Sequence, residues 1–370
     1  MILGFDASSI LESRACDSHY YVEGKEIDPI TYSHDVNGVD LMRLRIWVDP
    51  YDENGTPYAG GTCDLPSVIK MAKEGVEKGY KILLDFHYSD FWCDPGKQFL
   101  PKSWEHLSLT QLIEKLYEYT SETLKSLQKE GICPHSIQVG NEITNGMLWP
   151  YGKLIYMGED VIRGNYDALI MLLKAGVKAC REVCPDAKIV IHLEKSADKK
   201  IYKEFFDEML VGGLDFDIIG LSFYPYWHGT FDMVFENIDM LKARYHKPIW
   251  IVETAYGFSL EKAYDQGEEF IPWINEESYN KIEIYKPFPL TKEGQKDFVR
   301  ELLRECEDHG VDAIVWWEPF WVPKKGLMWA SKCGEEYVHE THKPTNDEWA
   351  NQCLFDYDGN ANPAFFEYRK

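Results

Sequence analysis

Lys81-Ile82-Leu83-Leu84-Asp85-Phe86-His87 is an apolar, β-rich run that ends in polar side chains. The segment before it has the opposite character. Val68, Met71, Ala72 and Val76 recur at helical period, Asp64 stands where an N-cap belongs, and Gly79 lies near the end. Outward from this pair the alternation continues. Runs at 2–6, 41–47, 81–87, 136–141, 188–192, 216–223, 248–253 and 313–317 read as strands, several of them apolar almost throughout. Parallel strands covered on both faces have that composition. Leu109, Leu112, Ile113, Leu116, Leu124 and Leu127 mark another helix, which Gly131 can close. Eight strands with helical crossovers predict an α/β fold of the (β/α)8 barrel type, whereas six or seven would give a doubly wound sheet.

The chain has 370 residues, 45% of them hydrophobic, and α/β barrels take this length as one domain. With no linker or internal repeat in view, residues 1–370 read as a single catalytic domain. Two long irregular stretches, 257–289 and 318–370, follow the seventh and eighth strands and read as extended functional loops. The net charge of −23 repels phosphate backbones, so no nucleic-acid partner is expected. No apolar run approaches the roughly 18 residues of a membrane span. The nine cysteines are scattered, with no Cys-x-x-Cys pair, and Cys180 and Cys184 lack the partners of a zinc set. Buried thiols and a cytoplasmic location are expected; secretion after removal of a signal peptide is the alternative. Oligomeric state is not legible.

Chemistry-bearing residues gather where the strands end. Arg43 and Arg45 lie in one run, Asp85 and His87 in the next, and Asn141 and Glu142 close the fourth. Tyr224 and Trp227 follow the sixth run, Glu253 ends the seventh, and Trp317 and Glu318 end the eighth. In a barrel all these ends meet on one face. Two glutamates there suit glycoside hydrolysis, in which one carboxylic acid protonates the leaving oxygen and the other attacks or stabilises the anomeric carbon. Arg45 reads equally as a buried partner for a carboxylate such as Glu253. His87 reads as a site residue, with a core histidine as the bland alternative. Trp92, Trp149, Trp227 and Trp321 fall in loops, where flat rings can stack on sugars, though each could be core.

The motifs resemble those of family 53 glycoside hydrolases, the endo-β-1,4-galactanases. The resemblance rests on Asp85-Phe86-His87-Tyr88-Ser89-Asp90-Phe91-Trp92 with Asp94-Pro95-Gly96-Lys97-Gln98, on Val139-Gly140-Asn141-Glu142-Ile143, and on Leu148-Trp149-Pro150. Gly220-Leu221-Ser222-Phe223-Tyr224-Pro225, Trp227-His228-Gly229, Val252-Glu253-Thr254-Ala255-Tyr256 and Trp317-Glu318-Pro319 complete it. It implies a retaining mechanism with Glu142 as acid/base and Glu253 as nucleophile, acting on the β-1,4-galactan of type I arabinogalactan. It also implies that Arg45, His87, Asn141, Tyr224 and Trp317 surround the sugar whose bond breaks. In that reading Arg45 and Tyr224 ionise the nucleophile and Asn141 bonds the 2-hydroxyl. Asp85, Trp92, Trp149, Trp227, His228 and Trp321 are further candidates for substrate contact. The sequence departs from the family pattern at Trp316, where Tyr is usual, and at Gly257, where Pro often stands. Bacterial members often carry a calcium loop after the nucleophile. The run from Tyr264 to Trp273 does not offer alternating oxygen ligands, so no metal or other cofactor is expected. A retaining barrel enzyme for another β-glycan and a non-catalytic sugar-binding barrel are the competing readings; the second would predict loss of a carboxylate, and both are present.

Overall fold

In the computed structural model, which describes all residues except 158–159, 165, 277–278, 280–287 and 342–348 and the side chains of 156–165, eight parallel strands form a closed barrel. They are β1 (Ile2–Asp6), β2 (Leu41–Ile46), β3 (Lys81–Phe86), β4 (Ser136–Val139), β5 (Lys188–Leu193), β6 (Ile218–Phe223), β7 (Ile249–Thr254) and β8 (Ala313–Trp316). Each neighbours its sequential partner, and β8 closes on β1. The principal helices are α1 (Pro29–Asp35), α2 (Leu65–Glu77), α3 (Leu109–Lys129), α4 (Tyr166–Val183), α5 (Lys199–Val211), α6 (Phe231–Tyr245), α7 (Lys292–Asp308) and α8 (Pro363–Glu367). This is the expected (β/α)8 architecture.

The helix ends follow from local chemistry. The Asp64 side chain accepts from Ser67 N at 2.9 Å and starts α2, and Gly79 follows its last turn at φ 93°. Ser108 and Gln111 form a reciprocal capping box at the start of α3, and Gly131 turns away from its end at φ 77°.

Strand alternation sorts the barrel side chains into two environments. Leu41, Leu83, Val190, Ile218, Trp250, Val252, Ala313 and Val315 form one buried cluster inside the barrel. Their neighbours Met42, Leu84, Ile189 and Ile251 join the larger cluster between strands and helices. Two residues further along the inward register come Asp6, Arg43, Asp85, Gln138 and His192, all fully buried. The interior is thus apolar below and polar above.

The two long loops are not wholly irregular. A hairpin pairs Ala263–Asp265 with Glu268–Phe270, and a short helix spans Lys332–Val338. Their portions at 277–278, 280–287 and 342–348 lie outside the described residues. The hairpin's carboxylates face lysines: Glu268 meets Lys325 at 2.8 Å and Glu269 meets Lys262 at 2.7 Å. Those carboxylates are already paired with ammonium groups and do not converge on a common point among the described residues.

The chain's end ties the barrel shut. The buried Tyr368 hydroxyl lies 2.7 Å from the Gly4 carbonyl and 2.9 Å from that of Ile314, bridging β1 and β8. We predict that Tyr368→Phe lowers stability by about 0.5–1.5 kcal/mol. Urea unfolding should show a lower midpoint with an unchanged m value, while activity stays the same.

Candidate active site

The polar layer holds one guanidinium at its centre. Arg43 donates from Nη1 to Asp6 at 2.9 Å. Its Nη2 meets Asp85 at 2.8 Å, Glu253 Oε1 at 2.8 Å and Asn141 Oδ1 at 2.9 Å. Tyr224 donates to the other oxygen of Glu253 at 3.0 Å. Glu253 reaches the lumen through a local irregularity. Leu221 pairs with Ile251 but Ser222 pairs with Glu253, so Val252 is an extra residue in β7. Without that bulge Glu253, next to the inward Val252, would point at the helices.

Glu142 is held differently. Gly140 at φ 86° and Glu142 itself at φ 47°, ψ 50° turn the chain sharply after β4. A side chain at position 140 would put its Cβ 2.8 Å from Ile143 Cγ2. No arginine among the described residues touches Glu142. Ser222 Oγ donates to its Oε1 at 2.6 Å, and His192 Nε2 lies 2.8 Å from Ser222 Oγ. Burial holds His192 well below the usual imidazole range, so this ring is neutral.

The two carboxyls therefore separate. Burial pushes Glu142 well above the carboxylate range, and the nearby Glu253 and Glu194 push it further. Burial also raises Glu253, but the Arg43 charge opposes the rise and leaves it at about 7. Glu253 ionises first, and Glu142 keeps its proton.

Both carboxyls line a cavity of about 410 Å³. Of the residues anticipated from the sequence, Arg45, His87, Trp92, Asn141, Tyr224, Trp227, His228 and Trp317 line it too. Three do not. Asp85 lies beneath, fully buried against Arg43, His87 and Gln138. Trp321 is 0% exposed and stacks on the back of Trp329. Trp149 donates to Asn145 O, and Lys153 Nζ sits 4.0 Å over its ring. Loop residues close to a strand end fall behind the first layer of rings as readily as into it.

The expected partner of Glu253 also changes. Arg45 bonds Asp6 at 2.9 Å and Glu318 at 2.6 Å, with Trp92 and Trp317 packed over its guanidinium. Arg43 meets Glu253 instead, because the inward residue one pleat lower reaches the barrel axis. His87 accepts from Cys93 N at 3.1 Å and Trp47 Nε1 at 3.3 Å through Nδ1, so its Nε2 carries the proton toward Asp85. Among the described residues no cluster of three or more His, Cys, Asp or Glu is placed to hold a metal ion.

Sequence reading missed Arg43 as the partner of Glu253, and it missed His192, Ser222, Glu194, Trp273, Trp329 and Trp349. The first three lie on inward strand positions, and Glu194 directly follows β5, so inward parity places all four at the barrel mouth without saying which carboxyl Arg43 meets. The tryptophans come from loops, whose course the sequence does not give. Trp329 stacks on Trp92 with centroids 4.5 Å apart, Trp349 meets Trp317 edge-on at 4.4 Å, and Trp273 lies 6.0 Å from Trp329. Together they form an aromatic wall on the β7–β8 side.

A closed (β/α)8 barrel that sets an acid-form and an ionised carboxyl in one aromatic-walled cavity is the machinery of a glycoside hydrolase. The family model "Glycosyl hydrolase family 53" matches residues 2–367, and the chain belongs to that family. It is 32% identical to the "Arabinogalactan endo-beta-1,4-galactanase" of Cellvibrio japonicus, covering 99% of this chain and 90% of the relative. It is 30% identical to the "Endo-beta-1,4-galactanase" of Bacillus subtilis (strain 168), covering 99% and 85%. The solved "Ignisphaera aggregans GH53 catalytic domain" superposes with a TM-score of 0.86 at 37% identity, covering 100% of this chain and 95% of that one.

The Arg43–Glu253 contact yields a prediction. A carboxyl that attacks must be ionised, and Arg43 opposes the rise in the pKa of Glu253. Arg43→Lys retains a charge but fewer bonds, so the acidic limb of kcat/KM should move to higher pH. At the pH optimum kcat/KM should fall on the order of ten- to a hundredfold, the worth of one bond to a charged group. Arg45→Lys should move the limb less. pH–rate profiles of the two variants on one substrate provide the check.

Proposed function

We propose that the protein hydrolyses β-1,4-galactosidic bonds of galactan with retention of configuration, Glu253 being the nucleophile and Glu142 the acid/base. The observation that carries this reading is the unequal environment of the two carboxyls in one cavity. Arg43 and Tyr224 support the ionised form of Glu253, while Glu142 has only the Ser222 hydroxyl and like charges nearby. The galactanase names of its relatives support the substrate.

In the first step a Glu253 oxygen bonds to the anomeric carbon. The bond to the leaving oxygen breaks with its electron pair, and that oxygen takes the proton of Glu142. In the second step Glu142, now ionised, removes a proton from water. The water oxygen bonds to the anomeric carbon and Glu253 departs. Ser222, held by neutral His192, donates to the carboxylate of Glu142 between the steps and keeps it aimed. Asn141 Oδ1 is occupied by Arg43, which fixes the amide; its Nδ2 donates to Cys93 O and supplies a further N–H to the 2-hydroxyl. These steps use the chain's own side chains and call on no cofactor.

NMR of the first-formed product tests the reading. Purified β-1,4-galactan should give the β-anomer, with mannan and cellulose cleaved far more slowly; an initial α-anomer would overturn retention. Glu253→Ala should be inactive and regain turnover with azide, giving an α-glycosyl azide. Glu142→Ala should lose about 10²–10⁴-fold on galactan but much less on an activated aryl glycoside. Exchanged behaviours would reverse the roles.

We also propose a reducing, cytoplasmic setting, supported by nine cysteines present as thiols, with Cys63, Cys93, Cys180, Cys184, Cys306 and Cys353 buried. Titration under denaturing, non-reducing conditions should find essentially all nine reactive. Recovery of several disulfides would favour secretion.

A further inference from the structure

Seven carboxylates are buried among the described residues: Asp6, Asp85, Asp90, Glu142, Glu194, Glu253 and Glu318. Six of them accept hydrogen bonds. Asp6 and Asp85 hold arginine, Asp90 takes two backbone N–H groups, Glu142 takes Ser222, Glu253 takes Arg43 and Tyr224, and Glu318 takes Ser9 and Arg45. Glu194 is the exception: it is 4% exposed and neither of its oxygens accepts a well-formed hydrogen bond, the Thr144 hydroxyl and its own backbone N–H giving its charge only weak support. A buried carboxylate without a well-formed bond is costly, and such a group calls for an explanation.

Its position supplies one. Val190 and His192 point into the barrel, and Glu194 continues their register past the end of β5. It lines the same cavity as Glu142, on the adjoining strand. The aromatic wall comes from loops after β3, β7 and β8, whereas Asn141, Glu142, Lys195 and His228 bring polar groups to the sector after β4, β5 and β6. A proton delivered by Glu142 goes to the leaving oxygen, which places the leaving sugar on this side. Trp227, half exposed, lines the same cavity. Two carboxylate oxygens suit the paired hydroxyls of a sugar, which donate.

We infer that Glu194 binds the leaving-group sugar, accepting hydrogen bonds from its hydroxyls as the glycosidic bond breaks and again when a sugar replaces water as acceptor. The inference rests on the proposed role of Glu142 as acid. Its like charge also helps keep Glu142 protonated.

The test compares leaving groups within one preparation. Galactotetraose leaves a sugar in this sector, whereas an aryl β-1,4-galactobioside leaves a phenol. In Glu194→Gln and Glu194→Ala, kcat/KM on galactotetraose should fall about ten- to a hundredfold relative to the aryl substrate, the range for a lost bond to a charged group. With the aryl donor and added galactobiose, the ratio of transfer to hydrolysis should fall alongside. Both readouts are ratios, so a reduced active fraction cancels. Equal losses on the two substrates, or an unchanged transfer ratio, would overturn the inference and leave Glu194 a structural group. Wild-type enzyme that fails to release β-configured product from galactotetraose would instead overturn the galactan reading itself.

Discussion

The site depends on the burial of Arg43. One guanidinium contacts carboxylates from β1, β3 and β7 and the amide of Asn141 after β4, so it joins four sectors of the barrel at one point. Taking these charges out of water is costly, and the geometry must be good to offset it. Arg43 and Arg45 together face Asp6, Asp85, Glu253 and Glu318. The cations are fewer than the carboxylates they serve, and both histidines at this level are held neutral by burial. Burial pushes both catalytic-site glutamates upward; the Arg43 charge opposes this at Glu253, whereas Glu142, which no arginine among the described residues touches, is pushed further by Glu253 and Glu194 and retains its proton.

The difference in protonation between the two glutamates thus arises because Arg43 touches one of them and not the other, on top of the burial they share. Ser222 and Tyr224 both belong to the β6 end, yet one serves Glu142 and the other Glu253. The same strand end therefore sets the aim of both carboxyls. The bulge in β7 and the left-handed turn at Glu142 are the backbone irregularities that make this possible, since regular strands would face one of the two away from the lumen.

Around this polar centre the tryptophans act in ranks. Trp92 lies over Arg45 while stacking on Trp329, and Trp321 backs Trp329 from behind. A front ring is held by a rear one, which fixes the wall in one arrangement. It also explains why tryptophans with similar sequence surroundings end in different places: Trp227 stands half exposed at the rim and Trp321 is fully enclosed.

The eight strands and the strand-end placement of Glu142 and Glu253 were legible in the sequence, because period-two and period-3.6 patterns and the residue types at strand ends are local properties. Inward parity, applied strictly, also reaches Arg43, His192 and Glu194. The choice of Arg43 over Arg45 for Glu253 was not legible, since both point inward and only the barrel's three-dimensional closure says which one reaches across. Nor was the extra residue in β7, which changes one side chain's face without changing the apolar run. The membership of the aromatic wall depended on loop paths and on which ring packs behind which. The sequence determined the scaffold and the chemistry present at its mouth; only the tertiary structure decided which charge meets which carboxyl, because that depends on distances across the barrel between residues far apart in the chain.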